Sequence, residues 1–164
     1  MAEDFLIRPY QPDDAAAMKR LFQRCFGRQL SEAYFRWKYE ACPAGPMVGY
    51  TAWDGPNLAA FYGVLAWPLL QDGAPMPAWQ SMDTMTDPDY QRRRLFVRLA
   101  EATYADVAQR HPDGFILGIP GSMSYGGLVY KLAWDHVGSI PYMVQHALQL
   151  GLARLPRGYT LAEG

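Results

Sequence analysis

The spacing of apolar residues changes once along the chain, near residue 87, and this change restricts the fold more than any other feature. Before it, apolar runs at residues 47–53, 58–70 and 78–86 follow one another with short predicted turns between them, the second at Asp72-Gly73. After it, apolar residues recur every three or four positions from about residue 91 to 109. The runs predict antiparallel strands, and the later spacing predicts an amphipathic helix.

The segments on either side extend this pattern. Before this meander of three antiparallel strands, residues Phe5–Pro9 predict another strand. Asp13 or Asp14 can cap a helix that runs to Cys25 or Phe26, and Ser31 can cap a short helix over residues 32–40. After the long helix, the apolar run 115–119 predicts a buried strand, and Ser122 or Ser124 can begin a helix through Leu132. Residues 137–144 predict another strand. The alternation of Leu148, Leu150 and Leu152 favours a last strand, with a helix over 146–155 as the alternative.

A meander followed by a strand–helix–strand unit implies one fold class. We expect an α/β (α+β) chain with a mixed, largely antiparallel, twisted sheet of six or seven strands and helices on both faces. A chain of 164 residues without an interdomain linker predicts a single domain over residues 1–164.

Charge and composition exclude several classes of partner. The net charge is -1, which gives no reason to expect nucleic acid or an anionic membrane as the main partner. No segment is long and apolar enough to span a bilayer, and the acidic start of the chain does not resemble a signal peptide, so we expect a cytoplasmic protein. Cys25 and Cys42 are expected to be reduced thiols, and no histidines have metal-ligand spacing, so no metal is predicted.

The predicted turn before the long helix is strongly basic. Arg92, Arg93 and Arg94 stand where strand 78–86 gives way to the helix. Backbone amides at a helix start, with arginines beside them, can bind phosphate groups. The alternative is that these arginines form an ordinary solvated helix start.

Two short phrases in this order resemble the GNAT superfamily of N-acetyltransferases. Thr84-Met-Thr-Asp-Pro-Asp-Tyr-Gln91 is similar to the strand end before that family's pyrophosphate loop, and Tyr130-Lys-Leu-Ala-Trp134 is similar to its phrase after the fourth helix. The segment Trp37-Lys38-Tyr39 resembles a bacterial subgroup. The expected order of strands and helices matches the family over nearly the whole length.

The resemblance implies acetyl-CoA as the cosubstrate. Backbone groups of Met85 and Thr86 would pair with the pantetheine arm as a missing strand would. In the family's loop pattern, Gln91 fits the first position, while Arg94 and Phe96 stand where glycine or another small residue is usual. Amides across the loop would face the pyrophosphate, and the arginine side chains could hold it instead. The implied cofactor-binding residues are Met85, Thr86, Gln91, Arg92, Arg93, Arg94, Leu95, Phe96 and Ser124.

Two residues are candidates for proton transfer. Tyr130 matches the family's tyrosine beside the sulfur, which implies a general acid for the departing thiolate; the alternative is ordinary packing. Asp83 is the candidate base, because a carboxylate within a strand with apolar neighbours is unusual without a partner. The alternative for Asp83 is a structural pair with an arginine or a tyrosine hydroxyl.

Three functions fit these residues. The first is an N-acetyltransferase that moves an acetyl group from acetyl-CoA to an amine of a small molecule or a peptide. The second is a non-catalytic relative, a ligand-binding or regulatory protein that has lost normal CoA binding and could act as a homodimer. The third is a transferase for a longer acyl-CoA. Rings crowd the first half of the chain and would suit an aromatic or sugar-like amine, although core packing is the alternative for each of them.

Overall fold

The computed structural model describes residues 4–140. Contacts group the chain into two compact units, Met1–Trp134 and Asp135–Gly164. Within the second unit, the described residues 135–140 form neither helix nor strand. The prediction of a single domain over residues 1–164 stays a prediction.

The first unit contains seven strands and four α-helices among its described residues. The strands are β1 Leu6–Pro9, β2 Val48–Asp54, β3 Asn57–Ala66, β4 Leu69–Gln71, β5 Ala74–Met76, β6 Ala78–Thr86 and β7 Phe115–Gly118. The helices are α1 Ala15–Phe26, α2 Glu32–Phe35 with a π-helical turn Arg36–Glu40 directly after it, α3 Leu95–Arg110 and α4 Ser122–Lys131. Short 3-10 turns, Pro12–Asp14 and Pro88–Tyr90, precede α1 and follow β6.

Five of the strands form one sheet in the order β1-β2-β3-β6-β7, and β4 pairs only with β5 in a separate hairpin. Every pair in the main sheet is antiparallel except β6 with β7, which is parallel. The connection from β6 to β7 contains α3, as a parallel pair requires a crossover. The predicted mixed, largely antiparallel sheet is confirmed.

Helices cover both faces of the sheet because side chains of β3 alternate between two separate cores. Phe61 packs on the face of α1, in a cluster that includes Met18 and Phe35. Tyr62, the next residue, packs on the face of α3 in a cluster that includes Leu99. Leu95, the first residue of α3 after the basic turn, belongs to this second core.

Two predicted boundaries were wrong. The strand expected over residues 58–70 ends at Ala66, because Pro68 has no N–H for the ladder, and the residues after it form the β4–β5 hairpin around the predicted Asp72-Gly73 turn. The helix expected from residue 91 begins at Leu95, and residues 91–94 form an irregular bend.

The predicted strand over residues 137–144 is absent in its described part, residues 137–140, and its remainder lies outside the described residues. The predictions for residues 146–155 lie wholly outside them. Among residues 4–140, no helix has the length and apolar character needed to cross a membrane.

Candidate functional site

A gap in the sheet opens where β6 and β7 separate. The two strands pair only from Ala78 with Phe115 to Ser81 with Gly118, and β7 then ends. β6 continues to Thr86, paired on its other side with β3. The second half of β6 therefore has an unpaired backbone edge within the described residues, and the structure places the predicted residues Met85 and Thr86 on it.

A β-bulge interrupts β6 beside this gap. Gly63 of β3 pairs with Met82 and Phe61 with Met85, so Asp83 and Thr84 together face a single residue of β3. Asp83 takes the extra position and has a left-handed backbone, with φ of 48°. Such a backbone costs a residue with a side chain about 1–3 kcal/mol and is concentrated at functional sites, as bulges are.

The Asp83 carboxylate is held by two neighbours from the π-helical turn. The ammonium of Lys38 forms an ion pair with it, and the hydroxyl of Tyr39 donates to the same oxygen. The Lys38 and Asp83 side chains are 13% and 19% exposed, so the pair is largely removed from water. Burial first, and then the Asp83 charge, raises the pKa of Tyr39, which keeps its hydroxyl protonated as a donor.

The tyrosine hydroxyl beside Asp83 agrees with the predicted alternative for this residue, whereas Lys38 as its partner was not predicted. More than forty residues separate Lys38 from Asp83, and no local pattern connects them. The one signal in the sequence is the Trp37-Lys38-Tyr39 phrase, which places both partners next to each other on a short helix. π-helical turns of this kind are rare and occur frequently at functional sites.

The basic bend has the backbone of a glycine-containing loop although it contains no glycine. Arg92 and Arg94 both have left-handed backbones, with φ of 65° and 59°. Leu95, 1% exposed, then begins α3 and anchors the bend in the core. Alternation of left-handed and ordinary residues turns successive N–H groups toward one side, which produces a concave anion-binding surface. The sequence did not predict this conformation, because arginine disfavours positive φ.

The side chains of the bend extend toward solvent. Gln91, Arg92 and Arg94 are exposed. Arg93 is also exposed, but its guanidinium donates to the carbonyl of Asp89 at 3.2 Å and lies 5.1 Å from the ring of Tyr90. Arg93 therefore helps to shape the bend, while Arg92 and Arg94 bring charge to its outer surface.

Phe96 does not close the bend. Its ring packs edge-on against Tyr62, with centroids 5.8 Å apart, and beneath Gly127 of α4. A Cβ at Gly127 would come within 3.0 Å of the Phe96 ring. The glycine on α4 therefore leaves the space that the Phe96 ring occupies. The bulky side chain is thereby accommodated in the core.

Helix α4 carries Ser124 and Tyr130. Ser124 lies in the first turn, where its hydroxyl is 3.4 Å from the carbonyl of Gly121. Tyr130 lies in the last turn and is 82% exposed. Ala133, within the Tyr130–Trp134 phrase, has a left-handed backbone with φ of 54°, a conformation that glycine favours. As at Arg94, the chain keeps the conformation without the glycine. The roles of Tyr130 and Ser124 stay predictions.

An ion pair fixes the start of the bend to α1. The guanidinium of Arg24 donates to Asp87 at 2.9 Å, and the same carboxylate accepts the amide of Asp89 at 3.0 Å. Burial by itself raises the pKa of Asp87, but the hydrogen bonds from Arg24 and the Asp89 amide outweigh it, so the pKa lies below its usual range. This carboxylate therefore orders the 3-10 turn that leads into the arginines.

We expect Asp87→Asn to lower Tm by about 3–8 °C at pH 7, because a buried, charge-assisted hydrogen bond contributes about 2 kcal/mol. Since the folded-state pKa is depressed, this stability is present above the unfolded-state pKa near 4 and is lost as pH falls through the folded-state pKa. Thermal melts from pH 7 to pH 2.5 should show the two proteins converging in acid. A constant difference across that range would contradict this role for Asp87.

A surface cavity of about 310 Å³ lies elsewhere, between α1, the β2–β3 turn and the 3-10 turn. None of the predicted site residues lines it. Of the two arginines that line it, Arg24 is already paired with Asp87 and Asp89, and we assign the cavity no chemistry. Among residues 4–140, no three His, Cys, Asp or Glu side chains form a group that could hold a metal ion.

Comparisons with known proteins give one family and one fold. A family model described as an acetyltransferase (GNAT) domain matches residues 6–134. No curated protein sequence matches the chain significantly. Among solved structures, an acetyltransferase from Trypanosoma brucei is 14% identical, with a TM-score of 0.65, and the match covers 87% of this chain and 100% of that one.

Two further solved structures have the same fold. AAC(6')-Iy in complex with the bisubstrate analog CoA-S-monomethyl-acetylneamine is 10% identical over 87% of this chain and 99% of that one, with a TM-score of 0.68. A ribosomal-protein-alanine N-acetyltransferase from Brucella melitensis biovar Abortus 2308 is 16% identical over 86% of this chain and 99% of that one, with a TM-score of 0.63. At these identities the likeness concerns the fold.

Proposed function

The chain belongs to the GNAT acetyltransferases, and from that premise we propose that it transfers the acetyl group of acetyl-CoA to an amine of a small molecule or a peptide. The observation that carries the proposal is the unpaired edge of β6 next to a bend with left-handed backbones at Arg92 and Arg94. An exposed strand edge can bind an amide-containing arm, and the bend can bind phosphates.

The residues present fit a nucleotide thioester. The Met85–Thr86 edge would hold the arm, and the amides and arginines of the bend would hold the diphosphate, with Arg92 and Arg94 as the exposed cations. Phe96 leaves the bend open because its ring is packed beneath α4. Acetyl-CoA supplies an acyl carbon that is already activated as a thioester.

Residues of the chain would then donate and accept the protons that the reaction moves. In the transfer, a C–N bond forms as the C–S bond breaks, the amine loses a proton and the departing sulfur gains one. Tyr130, exposed at the end of α4, would donate the proton to the sulfur. Asp83 would accept the proton of the amine, and a substrate ammonium would compete with Lys38 for this carboxylate.

The acceptor would enter beside α2 and the π-helical turn that follows it. Tyr34 and Trp37 are 45% and 59% exposed there, and their ring centroids lie 5.7 Å apart, beside Lys38. Adjacent exposed rings next to a charged pair suit an amine that carries a ring, aromatic or sugar-like. Aminoglycosides are the substrates named for several solved structures of this fold.

We also infer a cytoplasmic protein that works without nucleic acid or membrane partners, and a homodimer is compatible with the proposal. The support is a net charge of -1 and two free cysteines. Burial raises the pKa of Cys25 to about 11, which keeps this thiol protonated and slow to oxidise.

We expect acetyl-CoA to raise Tm by about 5–10 °C when its concentration is a hundred times its dissociation constant, since a ligand of the native state stabilises it by mass action. Differential scanning fluorimetry with ATP as the phosphate-bearing control checks this. Release of free thiol in the presence of ring-bearing amines then identifies the acceptor. A Tm that does not move at millimolar acetyl-CoA would favour the non-catalytic alternative.

A further inference from the structure

Four polar groups form a hydrogen-bonded line from the end of α4 to the apex of the gap. The indole N–H of Trp134 is 3.0 Å from the hydroxyl of Tyr104, which is 2.7 Å from the hydroxyl of Tyr62. The Tyr62 hydroxyl is in turn 2.8 Å from the hydroxyl of Ser81 on β6. None of these contacts is used by the proposed cofactor and acceptor sites.

The chemistry of the members gives this line a direction. An indole nitrogen can only donate, so the Tyr104 oxygen accepts from Trp134 and its hydrogen is left for Tyr62. Tyr62 is 0% exposed and cannot turn its hydrogen to water, so it donates to Ser81. The opposite order would leave the Tyr104 hydrogen without an acceptor among the described residues, whereas this order gives the hydrogens of both tyrosines one. The hydrogen of the Ser81 hydroxyl therefore has no acceptor among the described residues.

Packing fixes the Trp134 end of the line, and burial keeps its two phenols neutral. The Trp134 ring lies against β7 so closely that a Cβ at Gly118 would come within 2.8 Å of it. Burial is the first cause that raises the pKa of Tyr62 and of Tyr104, so both phenols stay neutral and act as hydrogen-bond donors. Each hydrogen bond in the line then polarises the next hydroxyl and strengthens the bond that it donates. A hydroxyl at the end of such a line is a better donor than an isolated one.

Ser81 also stands at a defined place in the gap. It forms, with Gly118, the last pair before β6 and β7 diverge. Because the bulge at Asp83 adds a residue to β6, the β3 partners of Ser81 and Thr86 are only four residue steps apart, which is about 13 Å of extended strand. An arm built from pantoate, β-alanine and cysteamine is roughly as long as five extended residues. If the diphosphate lies at the bend, the thioester end reaches the neighbourhood of Ser81.

We propose that Ser81 is a further cosubstrate-binding residue, which donates its hydroxyl hydrogen to the thioester carbonyl oxygen of acetyl-CoA at the closed end of the gap. Tyr62, Tyr104 and Trp134 are the positioning residues that orient this donor. The inference rests on the proposed function, because it requires acetyl-CoA in the gap. A fixed donor at that oxygen stabilises the negative charge that develops there when the amine attacks.

Calorimetric titration of the full chain with acetyl-CoA and with free CoA tests the inference. We expect Ser81→Ala to weaken acetyl-CoA binding by about 3- to 10-fold, as expected for one lost hydrogen bond, and to leave CoA binding unchanged. Ser81→Thr retains the hydroxyl and should keep acetyl-CoA affinity within about twofold of wild type. Thr also covers the case in which the alanine variant is poorly folded.

A spectroscopic measurement gives an independent result. The infrared carbonyl stretch of ¹³C-labelled acetyl-CoA should move to lower frequency on binding to the wild type and to Ser81→Thr, but not on binding to Ser81→Ala. Tyr104→Phe breaks the line and should give a smaller shift with Ser81 intact. A full shift in that variant would remove Tyr104 and Trp134 from the inference, because the contact between Tyr62 and Ser81 remains in it.

The outcomes separate this inference from the function on which it rests. Wild-type protein that binds acetyl-CoA, with the same affinity and carbonyl frequency in Ser81→Ala, overturns the Ser81 inference alone. Wild-type protein that binds neither acetyl-CoA nor CoA overturns both.

Discussion

Replacing Arg92 and Arg94 by alanine is expected to weaken acetyl-CoA binding by at least about a hundredfold, since each charge-assisted contact to a phosphate contributes about 1.5–3 kcal/mol. Both side chains are exposed at the outer surface of the bend. Arg93 is left in place because its guanidinium donates to the Asp89 carbonyl and shapes the bend. Titration calorimetry measures the loss, which should shrink as salt concentration rises.

The matched control is the double glycine variant, Arg92→Gly with Arg94→Gly. It removes the same side chains but suits the left-handed backbones at φ of 65° and 59°. We expect it to lose affinity as the alanine variant does, while its free energy of unfolding rises by about 1 kcal/mol for each relieved residue. If the glycine variant binds acetyl-CoA as tightly as wild type, the backbone amides hold the phosphates and the role of the arginine side chains is wrong.

Tyr130→Phe should lower turnover about a hundredfold, within the range for loss of a general acid, while changing the affinity for acetyl-CoA by less than about twofold. The hydroxyl lies on a ring that is 82% exposed, so we expect Tm to stay unchanged. Rates of thiol release with a saturating amine give kcat, and their dependence on acetyl-CoA separates kcat from binding.

Tyr125→Phe is the control for this prediction, because it makes the same chemical change on α4, five residues earlier and on a different side of the helix. It should leave the rate within about twofold of wild type. Equal rates for Tyr130→Phe and wild type would remove Tyr130 from the mechanism and leave the proton to solvent.

Much of the fold could be predicted because local signals and long-range packing agree. The Asp72-Gly73 turn, the spacing of α3 and the apolar run of β7 each gave an element that the structure contains. The end of β3 was missed because hydrophobicity continues past Ala66, whereas the ladder stops near Pro68. The apolar pattern records burial and does not record which backbone groups can pair.

The candidate site was less predictable, because its geometry depends on residues that are distant in sequence. The bulge at Asp83 and its ion pair with Lys38 join β6 to a helical turn more than forty residues away. The line from Trp134 to Ser81 joins α3, β3, β6 and the segment after α4 in the same way. For the bend, residue preference pointed away from the observed conformation, since arginine disfavours positive φ.

The left-handed arginine and alanine, Arg94 and Ala133, bear on how relatives of this protein are found. Both keep a backbone usually supplied by glycine, held in place here by the packing of neighbours such as Leu95. In such proteins the backbone conformation of a loop is kept although the glycine that usually allows it has been replaced. Searches by glycine spacing will pass over them, whereas comparison of backbone torsion angles will retrieve them.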